Sequence, residues 1–105
     1  MANNKILGML GLASRARKIT YGMDSTLQEI QKNKIKLIIV AEDASERTKN
    51  KIKEKANTKG IPIIIYESIE NLSKAIGKQN KAIIGVKENN IAIEIGKLYR
   101  GDVNG

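Results

Sequence analysis

Apolar residues along the chain fall into two kinds of pattern. The first is spaced for helices. Ile6, Leu7, Leu10 and Ala13 put one apolar face on residues 3–15, with Asn3 or Asn4 as the candidate N-cap. Gly22 breaks the chain, and Met23, Leu27 and Ile30 then recur at i, i+4 and i+7. Lys32 and Lys34 crowd the end of that second helix, where cations complement the negative end of the helix dipole. Ser45 opens a helix carrying Ile52 and Ala56 inward, and Gly60 closes it. Ser68 opens another with Ile69, Leu72 and Ile76 inward, and Gly77 closes that one.

The second pattern is the short continuous apolar run. Leu37-Ile38-Ile39-Val40-Ala41, Ile61-Pro62-Ile63-Ile64-Ile65-Tyr66 and Ala82-Ile83-Ile84-Gly85-Val86 lack alternation and read as strands covered on both faces. Pro62 stands at the start of its strand, where a missing N–H does least harm. Residues 18–21 form a link or a short strand. After Val86 the pattern supports two readings: Ile91, Ile93 and Ile95 alternate as in a hairpin, and Ile91, Ile95 and Leu98 share a helix face with Asn89 or Asn90 as cap. Strands alternating with helices predict an α/β domain with a largely parallel sheet, helices on both faces and right-handed crossovers.

Composition narrows the function. A chain of 105 residues is expected to be one domain, placed at 1–100, with 101–105 as a flexible tail. The 41% apolar content is mostly aliphatic, with 18 Ile and neither Phe nor Trp, and suffices for a core. The absence of Cys excludes disulfides, thiolate nucleophiles and cysteine zinc sites. The absence of His removes the commonest general base. No stretch approaches the roughly 20 apolar residues of a membrane span, and Gly8 and Gly11 interrupt the N-terminal apolar segment, so a cytoplasmic location is expected.

The net charge is +8, which points to an anionic partner, for a basic soluble protein usually nucleic acid. Residues 1–36 hold seven cations against Asp24 and Glu29, residues 37–72 six charges of each sign, and residues 73–105 six cations against Glu88, Glu94 and Asp102. The excess is therefore carried by the first and last thirds, as if they met on one basic face around a neutral middle. The run Lys49, Lys51, Lys53, Lys55, Lys59, with Glu46 and Glu54 beside it, reads as a solvated helix face.

Two segments carry a family resemblance: Lys18-Ile19-Thr20-Tyr21-Gly22-Met23-Asp24-Ser25-Thr26-Leu27, and Lys34-Ile35-Lys36-Leu37-Ile38-Ile39-Val40-Ala41-Glu42-Asp43-Ala44-Ser45. With Gly60-Ile61-Pro62-Ile63 and Leu72-Ser73-Lys74-Ala75-Ile76-Gly77, they resemble the kink-turn-binding superfamily of ribosomal proteins L-seven-Ae and L-thirty-e. The opening Leu7-Gly8-Met9-Leu10-Gly11-Leu12-Ala13-Ser14-Arg15-Ala16-Arg17-Lys18 resembles its bacterial branch of small ribosome-associated RNA-binding proteins. The resemblance runs from about Lys5 to Leu98. It implies a three-layer α/β/α sandwich around a four-stranded mixed sheet, a C-terminal helix over 89–99, and binding of structured RNA by the start of the second helix and the loop after the fourth.

Carried over residue by residue, Gly22 matches the family glycine before the second helix, and Thr26 a threonine that often faces inward. Asp24 and Ser25 stand where the family commonly has Asn or Lys and then Glu or Gln, and Gln28 stands where it commonly has Lys. These departures move the expected recognition away from the standard kink-turn base contacts, though not away from RNA. The loop Gly77-Lys78-Gln79-Asn80-Lys81 is polar and cationic where the family's is usually apolar. The candidate RNA contacts are Lys18, Gly22, Asp24, Ser25, Gln28, Lys32, Lys34, Lys78, Gln79, Asn80 and Lys81. About five neutralised phosphates would give a salt slope of roughly −3.5 to −4.5. With Tyr21 the only aromatic near this face, phosphate and shape should dominate over base stacking.

Glu42 and Asp43, after a buried strand, offer a minor alternative as a Mg²⁺ site of a small α/β regulator; as the favoured reading, Asp43 or Ser45 caps the next helix. Gly8 and Gly11 lie inside a helix and do not form a dinucleotide fingerprint; they are expected to allow close packing. No nucleophile elbow or Walker loop is present. The expectation is a monomeric, non-enzymatic protein that needs no cofactor and binds ribosomal or other structured RNA. A protein-interaction adaptor on the same fold is the alternative.

Overall fold

The computed structural model describes residues 4–104. Nine elements follow in order: α1 Lys5–Arg15, β1 Ile19–Tyr21, α2 Met23–Gln31, β2 Leu37–Val40, α3 Glu46–Lys59, β3 Ile63–Ile65, α4 Ile69–Ala75, β4 Ile83–Val86 and α5 Asn89–Asn104. The segment after Val86 is a helix, as the resemblance implied and the hairpin reading did not. Its first turn is closed by the Glu88 carboxylate, which accepts from the Ile91 N–H at 2.7 Å. α5 continues through Asn104, over most of the stretch assigned to a tail, and Gly105 lies outside the described residues.

The strands form one sheet in the order β1-β4-β2-β3. Only β2 and β3 pair in parallel, through the crossover α3; β4 is antiparallel to both β1 and β2. The largely parallel sheet expected from the alternation of elements is therefore corrected to a mixed one, as the resemblance implied. Alternation of strands and helices does not specify where a strand inserts or in which direction it runs. The two central strands, β2 and β4, are buried at every residue, because helices cover both of their faces. α1 packs with α4 and α5, and α2 packs with α3, giving the three-layer α/β/α sandwich.

Local chemistry accounts for the helix ends. The Ser45 Oγ accepts from the Thr48 N–H at 3.1 Å, and the Ser68 Oγ from the Asn71 N–H at 3.0 Å. Gly60 closes α3 in the left-handed conformation at φ 68°. Asp43 does not cap α3; its Oδ1 reaches across to accept from Ile69 N–H at 2.8 Å, at the start of α4. Asn4 is the N-cap of α1, but its side chain does not cap; its Oδ1 accepts from the Tyr66 hydroxyl at 2.8 Å instead. Asn3 lies outside the described residues.

Gly11 sits where α1 crosses α4, so close that an added Cβ would meet the Ala75 carbonyl oxygen at 3.0 Å. Gly8 faces open space, so the close packing expected of both glycines applies to Gly11 alone. Among the described residues no helix is long and apolar enough to cross a membrane.

Candidate nucleic-acid interface

The antiparallel course of β4 organises the cations. β1 ends where β4 begins: Tyr21 pairs with Ile84, and the Gly22 N–H donates to the Ile83 carbonyl at 2.8 Å. The loop 77–81, which leads into β4, is thereby delivered beside Gly22 and the start of α2. The Lys81 Nζ lies 4.0 Å from where a Gly22 Cβ would be. The Tyr21 ring carries two ammonium groups, Lys78 at 4.8 Å and Lys81 at 5.5 Å from its centroid. Each cation–π contact is worth about 0.5–1 kcal/mol at an exposed site.

α2 opens without a side-chain cap, because its N-cap is Gly22, at φ 89°. The first intrahelical bond runs from the Thr26 N–H to the Gly22 carbonyl at 3.3 Å. The amides of Met23, Asp24 and Ser25 precede that bond and have no helical acceptor. Asp24 is exposed in the first turn, one residue past the first helical position, an anion at the positive end of the helix dipole. Ser25 and Gln28 are exposed on the outer side of the same helix.

Two devices fix this arrangement. The buried Ser73 on α4 holds both backbone groups of Lys81: its Oγ accepts from the Lys81 N–H at 2.7 Å and donates to the Lys81 carbonyl at 3.3 Å. Gly77 (φ 71°) and Asn80 (φ 58°) supply the left-handed turns of the loop. Gln79 and Asn80, with Lys78, line a depression of about 600 Å³ on the α4 side of the loop.

The second device seats α2 on the sheet. The hydroxyls of Thr20 and Thr26, both buried, lie 2.8 Å apart. An added Cβ at Gly85 would meet the Thr20 Oγ1 at 2.5 Å, the Ile35 Cδ1 at 2.9 Å and the Thr26 Cγ2 at 3.2 Å. Only glycine on β4 lets the helix approach this closely. Thr26 faces inward, as the resemblance implied.

The remaining candidates lie elsewhere. Lys18 and Lys34 sit at the other end of the sheet, where β1 and β2 begin and β4 ends, with Arg17, Lys36 and Lys87. Lys32 is the C-cap of α2 and pairs with Glu29 at 3.6 Å. The first and last thirds of the chain therefore do meet, but at two ends of the sheet rather than on one face.

Sequence reasoning placed Gly22, Asp24, Ser25, Lys78 and Lys81 together and missed Ser73 and Gly85. Ser73 looks like one polar position among several on α4, and Gly85 like a small residue in an apolar run. Among the described residues no three carboxylate, imidazole or thiol side chains cluster as metal ligands.

Residues 4–95 match the model of the Ribosomal protein L7Ae/L30e/S12e/Gadd45 family. An RNA-binding protein YlxQ from Enterococcus faecium is 35% identical, over 92% of this chain and 93% of its own length. A protein of the same name from Bacillus subtilis is 37% identical over 80% of this chain and 84% of its own. Among solved structures, a Bacillus halodurans protein described as of unknown function superposes with a TM-score of 0.87 at 32% identity, covering 91% of this chain and 97% of the other. A Giardia lamblia 15.5kD RNA binding protein shares the fold at a TM-score of 0.76 and 20% identity, covering 95% of this chain and 92% of its own. With a family model spanning nearly the whole sandwich and relatives matched along most of their length, the chain belongs to the ribosomal protein L7Ae/L30e/S12e/Gadd45 family.

Proposed function

We propose that this chain is a non-enzymatic RNA-binding protein that grips structured RNA at the end of the sheet formed by the start of α2 and the loop 77–81. The observation that carries the reading is the convergence of three phosphate-binding features there. These are the open amides of Met23, Asp24 and Ser25, the uncapped glycine before them, and the Lys78 and Lys81 ammonium groups braced on Tyr21. Family membership and relatives named RNA-binding proteins support it.

In this reading the amides and lysines hold phosphates, and Ser25, Gln28, Gln79 and Asn80 hydrogen-bond to base or ribose edges. Asp24, an acceptor only, fits a base amine or ring N–H rather than a phosphate. The RNA is ribosomal RNA or a kink-turn-like element, and the protein acts as a cytoplasmic monomer.

A gel-shift titration against ribosomal RNA, a model kink-turn and a size-matched duplex tests this. Tighter binding to a structured RNA than to the duplex is expected, with affinity falling between 50 and 300 mM salt. Equal affinity for all three, or no salt dependence, would overturn it.

A further inference from the structure

We propose that the opposite end of the sheet is a second, sequence-independent site for the phosphate backbone of double-helical RNA. The proposal rests on the reading that RNA is the partner, and adds a contact separate from the first. Three turns bring the cations together. Arg17 and Lys18 lie between α1 and β1, Lys34 and Lys36 between α2 and β2, and Lys87 after β4. Backbone bonds fix the turns: the Lys87 N–H donates to the Lys18 carbonyl at 2.8 Å, and the Lys36 N–H to the Val86 carbonyl at 2.7 Å. Arg17 (φ 60°) and Asn33 (φ 61°) hold left-handed conformations that turn the chain toward the sheet. The five cations, with Asn33 and Glu88, surround an open depression of about 350 Å³.

Charge arithmetic separates a binding site from structural compensation. α1 and α2 both end here, and each C-terminus presents about half a negative charge. Glu88 contributes one more, and its carboxylate is already engaged by the first turn of α5. About two negative charges face five positive ones, leaving roughly three uncompensated. Among the described residues no carboxylate forms an ion pair with any of the five.

The lining contains no aromatic or aliphatic side chain. Splayed bases therefore have nothing to stack on, and backbone phosphate is the group this surface can recognise. Lys18 and Gly22 are four residues apart along β1, about 13 Å at strand rise. An RNA helix lying along α2 would span both ends.

The test compares the wild-type protein with a variant carrying Arg17→Gln, Lys18→Gln, Lys36→Gln and Lys87→Gln. A control carries Arg17→Lys, Lys18→Arg, Lys36→Arg and Lys87→Arg. The probes are a 20-base-pair RNA duplex and a model kink-turn with minimal flanking helices. The glutamine variant should bind the duplex about 10-fold or more weakly at 50 mM salt, with a salt slope flatter by about 3. It should hold the short RNA within about 3-fold, and the charge-conserving control should match wild type on both.

Unchanged duplex affinity in the glutamine variant would overturn the proposal. So would an equal loss on both RNAs, or a control as weak as the glutamine variant. If neither protein binds the short RNA, the first reading falls, while the duplex titration still decides this one.

Discussion

The two ends of the sheet carry similar charge by different means. At the end where β1 stops, Lys78 and Lys81 come with an uncapped helix start, a bracing tyrosine and a loop clamped by Ser73. At the end where β1 starts, five cations ring a depression without an aromatic ring, beside helix C-termini whose dipoles disfavour anions. Helix amides and a fixed loop hold a phosphate in one geometry. A ring of long cationic side chains holds negative charge wherever it falls. The first arrangement suits discrimination between RNA shapes, and the second suits general adhesion.

The largest expected effect removes the contrast altogether. Gly85→Ala would drive a methyl group into the Thr20–Thr26 pair and Ile35, forcing α2 off the sheet and moving both ends at once. Overpacking together with loss of a buried hydrogen bond should cost about 2–4 kcal/mol, read as a lower urea midpoint with the m-value unchanged.

Next, Lys78→Ala with Lys81→Ala should disable one end alone. Structured-RNA affinity should fall about 10-fold or more, with the salt slope flatter by about 2 or less and the urea midpoint unmoved. Unchanged affinity would move the specific site away from this loop.

Ser73→Ala sharpens the comparison by loosening the loop without touching its charge. It removes both Ser73 hydrogen bonds to the Lys81 backbone, so a loss of about 1–2 kcal/mol in stability is expected. Structured RNA should be bound several-fold more weakly, and the plain duplex unchanged. The smallest effect is expected from Tyr21→Leu, which keeps bulk and removes the cation–π bracing of both lysines. A decrease of about 2- to 5-fold in structured-RNA affinity would fit contacts worth about 0.5–1 kcal/mol each.

The elements themselves were legible because their causes are local. Ser45, Ser68, Gly60 and Gly77 bound helices through hydrogen bonds and backbone conformations that involve only their neighbours. The unbroken apolar runs at Leu37–Val40 and Ile83–Val86 announce strands buried on both faces. The start of α2 was legible for the same reason, since a glycine before an apolar-periodic segment is a local signal. The helix over Asn89–Asn104 was not, because Ile91 and Ile95 satisfy both periods and only packing against α1 and the sheet selects one.

What the sequence determined by itself was the set of parts: the helices and the three apolar-run strands up to Val86, an aliphatic core, and a net positive charge confined to the first and last thirds. The tertiary structure decided where that charge acts. β4 enters the sheet between β1 and β2 and runs against both. Its preceding loop therefore meets the end of β1, placing Lys78 and Lys81 beside Gly22, and its following turn meets the start of β1, placing Lys87 beside Lys18. A parallel β4 would have exchanged those neighbours. The direction of β4 is set by pairings between residues more than forty positions apart, such as Ile19 with Val86, and no local pattern encodes it.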